Sequence, residues 1–175
     1  GFIEWGNEQF AKLPQDHYYQ QKFQLLNAQR LVFTGKIYQA KDLLQGLLSN
    51  PKVDPTLVGE IQQFLARLNF ELKQFDKSSR LYQQALGQPG HPQNALLELA
   101  WSTFLAERPE KSFGLLHAFS SPSFAHAFNP EYFILKTHVY KDHCHYDSAV
   151  STGEAFFSRY QTALDGIYHR NQAND

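Results

Sequence analysis

A chain of 175 residues with 42% apolar and 15% aromatic side chains can bury a real core, as one compact domain or a short repeat array. Its net charge of −1 comes from interspersed acids and bases, which argues against a nucleic-acid footprint or a polybasic membrane patch. No stretch approaches the roughly 20 apolar residues of a membrane-spanning helix, so direct insertion is not expected, and the single Cys144 leaves no intrachain disulfide.

Residues 1–15 read as an N-terminal extension closed by Pro14. No methionine occurs anywhere, so the natural start is expected upstream of Gly1. From there apolar residues recur at helical spacing, and the pattern predicts eight helices in four pairs: 16–34 with 37–49, 56–73 with 75–87, 93–106 with 109–119, and 130–142 with 146–166. The repeats fall near 16–50, 56–88, 93–120 and 130–166, leaving 167–175 as a C-terminal tail. Prolines punctuate the junctions and spare the helix interiors, where a missing N–H and a ring clash would break the ladder. Asp54-Pro55 and Asn129-Pro130 read as N-caps followed by proline at the first helical position.

The four pairs share a register. Ala40, Ser78, Ser112 and Ala149 stand 38, 34 and 37 residues apart, each at the same place in its second helix. "LARLNFELKQFDKSSRLYQQAL" (65–86) aligns with "LAWSTFLAERPEKSFGLLHAFS" (99–120) at an offset of 34, pairing Leu65 with Leu99, Ala66 with Ala100 and Phe70 with Phe104. Small side chains at fixed positions let two helices cross closely. One hairpin cannot bury both its faces, so neighbours must stack.

These residues resemble the tetratricopeptide repeat (TPR) family, whose units carry a Leu-Ala/Gly pair, an aromatic near the inter-helix turn, a small residue after it and a closing proline. The two middle repeats match best. Repeat three has Pro109 in place of the turn aromatic, repeat one has Asn27-Ala28 for the Leu-Ala pair, and repeat four has Lys136-Thr137. More loosely, the stretch from Glu98 through Ala149 is similar to TPR proteins of deltaproteobacteria linked to gliding motility and cell-envelope assemblies. The fold that the resemblance implies is all-α: a right-handed solenoid of about four TPR-like helical hairpins.

The resemblance also implies protein binding, with first helices lining a concave groove for a peptide or a partner protein. Carried over by repeat position, the groove would present Gln29 and Phe33, then Gln63, Arg67 and Glu71, then Leu97, Trp101 and Leu105, and finally Ile134, His138 and Lys141. Its middle is apolar and its rims are polar, as in an interface with a buried anchor. Trp101 is the foremost anchor candidate, since tryptophan is enriched at hot spots; equally, it could be ordinary core. Arg67 and Lys141 either meet a partner's carboxylates or are solvated surface charges. Two such cations are too few for the clamp with which some TPR domains hold a C-terminal carboxylate.

Phe119, Phe124 and Phe128 in the third junction either fill the gap it opens or form a second contact surface. The last helix keeps an apolar side through Phe156, Tyr160, Leu164 and Ile167, which is either a terminal cap or a face for self-association, so a homo-oligomer through the terminal helices is an alternative function. No phosphate loop, nucleophile elbow or His-Glu-x-x-His motif occurs, so no catalytic residue, cofactor or enzyme activity is expected. His143, Cys144 and His145 suggest a metal sensor, the least favoured alternative. Set in the repeat register they occupy the fourth hairpin's turn, and only His138 and Asp142 share a helix face, too few ligands for zinc. Localisation stays open between bacterial cytoplasm and periplasm.

Overall fold

In the computed structural model, which describes residues 2–88, 92–119, 121–124 and 129–172, the apolar periodicity becomes helices and nothing else regular. They are α1 (Phe2–Phe10), α2 (Tyr18–Phe33), α3 (Ile37–Leu48), α4 (Pro55–Glu71), α5 (Phe75–Ala85), α6 (Pro92–Leu105), α7 (Pro109–Ala118), α8 (Pro130–Asp142) and α9 (Tyr146–Gln172), with a short 3₁₀ turn at Pro122–Phe124. The eight expected helices lie where the periodicity put them. Two things differ. The 1–15 extension contains α1, and α9 runs on to Gln172 rather than ending at 166.

The chain gathers into two bodies, residues 1–106 and 107–175. In the first, α2 packs on α3 and α4 on α5 as hairpins, while α3 meets α4 and α5 meets α6 across repeat boundaries. Its core is aliphatic: Leu25 and Ala28 from α2, Ala40 and Leu44 from α3, and Ile61 and Leu65 from α4 are all at most 1% exposed. Burying each Leu or Ile contributes roughly 1.5–3 kcal/mol relative to exposure. Ala28, Ala40, Ala66 and Ser78 reach zero exposure, as close helix crossings require. The Ser78 hydroxyl bonds the Ala66 carbonyl at 2.9 Å and meets the Ser102 hydroxyl at 2.9 Å, so these buried polar atoms are satisfied.

Side chains also fasten the junctions. Gln21, fully buried, donates to the Lys52 carbonyl at 2.9 Å and accepts from the Asp54 N–H at 2.8 Å, fixing the loop that leads into α4. The Asp54 side chain then caps α4, accepting from the Thr56 hydroxyl at 2.6 Å and the Thr56 N–H at 2.9 Å, and those two bonds hold its carboxyl below the ordinary aspartate range. Asn129 takes the N-cap place before α8, but its side chain makes no capping bond. Its backbone N–H instead donates to the Tyr160 hydroxyl at 3.2 Å.

The second body, with α7 against α8 and α8 against α9, is built on aromatic rings. Phe133 contacts Phe156 and Tyr160 at centroid separations of 5.9 Å each, and Phe119 lies 4.9 Å from Phe124 and 5.5 Å from Tyr132. Phe119 is buried and Phe124 half-buried, so both fill the third junction; Phe128 lies outside the described residues.

The turns show the repeat most sharply. Gly35, Lys73, Glu107 and Cys144 all have left-handed backbone, with φ of 74°, 57°, 59° and 57°. They stand 38, 34 and 37 residues apart, the spacing of the small residues. After three of them the next N–H reaches back five residues: Lys36 to Leu31, Gln74 to Asn69 and His145 to Tyr140, at 2.8, 2.8 and 2.9 Å. That is the Schellman closure of a helix C-terminus. Cys144 therefore serves a turn, and His143 and His145 beside it are exposed.

Candidate protein-binding site

The first helix of each repeat turns one side to the core, through Leu25 and Ala28 in α2, Leu65 and Ala66 in α4, Leu99 and Ala100 in α6, and Leu135 and Val139 in α8. At about 100° per residue, residues between these point outward. Gln29, Arg67, Trp101 and His138 hold one register position, again spaced 38, 34 and 37; all are exposed except Trp101, which is half-buried with its ring 6.3 Å from that of Phe104. One turn on, Phe33, Glu71 and Leu105 share another position; Phe33 is 94% exposed and Leu105 37%. Ile134 is 50% exposed and Lys141 is exposed, both on α8.

Leu97 departs from the expectation. It is only 7% exposed, so it belongs to the core and not to an open lining. Its register position is mixed: the equivalent Leu25 is 1% exposed, Gln63 is half-buried and Ile134 is 50% exposed.

Arg67 is exposed but paired. Its Nε and Nη2 donate to Glu98 Oε1 at 2.9 and 2.6 Å, while Gln63 Nε2 donates to Glu98 Oε2 at 3.1 Å. One carboxylate on α6 thus ties down two side chains from α4. Partial burial opposes the charge on Arg67, but the bonds from Glu98 outweigh it and hold the guanidinium above its ordinary range. Beneath them lies the phenol of Tyr82, 2% exposed. Burial first, and the Glu98 carboxylate second, push its pKa up. A second link of the same kind joins Lys22 on α2 to Glu60 on α4 at 2.6 Å.

Glu98 was not among the expected residues. Its signal is faint but real: it lies 31 residues after Arg67, three short of the 34-residue offset, which places it one turn earlier on the next first helix. The face in the first body is therefore electrically self-satisfied around Arg67, with Phe33, Trp101 and Leu105 as its apolar elements. Among the described residues, no three His, Cys, Asp or Glu side chains converge as metal ligands would, and no helix is long and apolar enough to cross a membrane.

No family model matches the sequence, and none of the curated proteins does. Solved structures do match. One, a crystal structure of a Podosopora anserina kinesin light chain-like protein with nearly identical TPR-like repeats, superposes with a TM-score of 0.71 at 17% identity over 89% of this chain and 82% of the other. A single-substitution variant of that protein gives 0.75 at 15% identity, over 91% and 83%.

The fold is TPR-like. At such identities the likeness is one of fold, and it agrees with the all-α repeat of helical hairpins read from the register. TPR-like folds are typically scaffolds for protein–protein interaction and generally non-enzymatic.

Proposed function

We propose that this chain is a non-enzymatic scaffold or adaptor that binds a peptide segment or partner protein through the outward face of its first helices. The observation that carries the reading is the recurrence of outward positions at a fixed register, with apolar side chains among them: Trp101 is the register equivalent of Gln29, Arg67 and His138, and Phe33 and Leu105 are those of Glu71. Exposed phenylalanine and leucine on an otherwise polar face supply the anchors of an interface, with polar and charged neighbours as its rim. Ile134, His138 and Lys141 extend the same role to α8. Because Arg67 is already paired with Glu98, recognition rests on apolar contact more than on charge. On the looser resemblance to deltaproteobacterial TPR proteins alone, we further propose a role in a bacterial motility, polarity or envelope complex. Affinity capture with the wild-type chain and with a Trp101→Ala/Leu105→Ala variant of unchanged helical circular dichroism tests the reading. A partner kept by wild type and lost by the variant supports it; equal capture by both refutes the face.

A second reading, self-association, is favoured by α9, whose Val150, Phe157, Ile167 and Tyr168 are between 58% and 73% exposed. An apolar row of that kind on a long terminal helix suits a second copy of the chain.

A further inference from the structure

The segment "GFIEWGNEQFAKL" (1–13) carries the register of a second helix. Laid on "GKIYQAKDLLQGL" (35–47) at an offset of 34, it pairs Ile3 with Ile37, Gly6 with Ala40, Phe10 with Leu44 and Leu13 with Leu47. Gly1 falls on Gly35, the residue whose positive φ closes the turn before α3. The packing agrees. Phe10 of α1 stacks on Phe23 of α2 at 4.5 Å, and their register equivalents, Leu44 of α3 and Ile61 of α4, share the core of the first body. α1 thus meets α2 as α3 meets α4, a second helix against the first helix of the next repeat.

The other flank of α1 is less covered than its equivalents. In α5 the Ser78 hydroxyl donates to the Ala66 carbonyl of its own first helix and meets Ser102 of the following one. Phe75, the equivalent of Ile3, sets its ring 5.4 Å from that of Phe70, again on its own first helix. Gly6 stands where Ser78 does. Among the described residues, a Cβ added there would meet Phe23 alone within 4 Å, at 3.9 Å and from the following side. Exposure follows the same division: Ala40, Leu44 and Leu47 are buried, whereas Gly6, Phe10 and Leu13 are half-buried. A glycine inside a helix costs stability, and a closely crossing neighbour is one reason to keep it.

We propose that α1 is the second helix of a further repeat, and that its half-covered flank is a docking surface for a first helix. The occupant is an amphipathic helix running antiparallel to α1, with a small residue opposite Gly6 as Ala28 and Ala66 stand in α2 and α4. It belongs to the same chain, ahead of Gly1. Each of α3 and α5 is covered by the helix just before it, through a turn with one left-handed residue, and Gly1 supplies glycine at that position. Docking removes the apolar surface of Phe10 and Leu13 from water. A helix held there also lengthens the outward face by one first helix.

The test places a copy of residues 16–34, the first helix α2 with its entry and exit, directly ahead of Gly1 in the whole chain, so that Gly1 follows it as Gly35 follows α2. Tethering makes the docking intramolecular. The extended chain is expected to melt about 4 °C or more above the 175-residue chain, and its α1 amides to exchange about tenfold or more slowly. Ala28→Glu confined to the added copy removes both gains. Gly6→Leu removes them in the extended chain by blocking the crossing. In the 175-residue chain the same change leaves the melting temperature unchanged or raised, because leucine is the better helix former. No gain from the extension, or an equal gain with Ala28→Glu in the copy, would overturn the proposal. So would a dimer of the 175-residue chain in sedimentation that Gly6→Leu dissociates, since a second copy would then be the occupant.

Discussion

The four turn residues make a matched set for a conformational test. Gly35, Lys73, Glu107 and Cys144 all hold φ between 57° and 74°, a region that costs an L-residue about 1–2 kcal/mol and glycine almost nothing. Lys73, Glu107 and Cys144 are exposed, so replacing any of them by glycine removes little packing. Glycine gives back about 0.4–1 kcal/mol through the freer unfolded chain. The net gain expected for Lys73→Gly, Glu107→Gly or Cys144→Gly is therefore about 0.5–1 kcal/mol. The reverse change is as clean: a Cβ at Gly35 meets nothing within 4 Å, so Gly35→Ala loses a similar amount through backbone strain alone. Thermal melts followed by circular dichroism should show shifts of about 1–4 °C for a chain of this size. His143→Gly, one residue earlier and not in the left-handed region, is expected to lower the melting temperature. If Cys144→Gly behaves like His143→Gly, or Gly35→Ala is neutral, the shared turn conformation is wrong.

Two further outcomes follow from the same structure. The phenol of Tyr82 has its pKa raised in the fold, so its contribution is fully present below the ordinary tyrosine value of about 10 and is lost as pH rises above it; Tyr82→Phe should flatten the alkaline fall in melting temperature, and an unchanged pH profile would contradict that environment. The exposed row on α9 predicts concentration-dependent mass in sedimentation, reduced by Phe157→Glu with Ile167→Glu, and a strict monomer at every concentration would sink the self-association reading.

Much of this fold was legible because the repeat states itself several times. Ala40, Ser78, Ser112 and Ala149 mark the helix crossings, and Pro55, Pro109 and Pro130 mark helix starts. What escaped the reading has weak marks in the register or none. The segment "FIEWGNEQF" carries glycine, Gly6, at the small-residue position and no first helix ahead of it in the sequence, yet it folds as α1, where Phe10 stacks on Phe23 at 4.5 Å. The last helix was expected to end at 166, yet α9 runs through Gly166 to Gln172, and Gly166 is not among the residues with left-handed backbone. Leu97 was carried to the groove by repeat position under the resemblance, which does not say how far a neighbouring helix overlaps a boundary position. The pairing of Arg67 with Glu98 crosses repeats, and only three-dimensional stacking brings it about.

The central claim is that the outward face of the first helices holds a partner through its apolar side chains. The most direct measurement is the affinity of the captured partner for the wild-type chain, for Phe33→Ala, and for Trp101→Ala with Leu105→Ala, by isothermal titration calorimetry. Loss of about 2 kcal/mol or more from the Trp101 and Leu105 pair, a factor of roughly 30 in Kd, is the predicted result. Equal affinity across the face variants would contradict it.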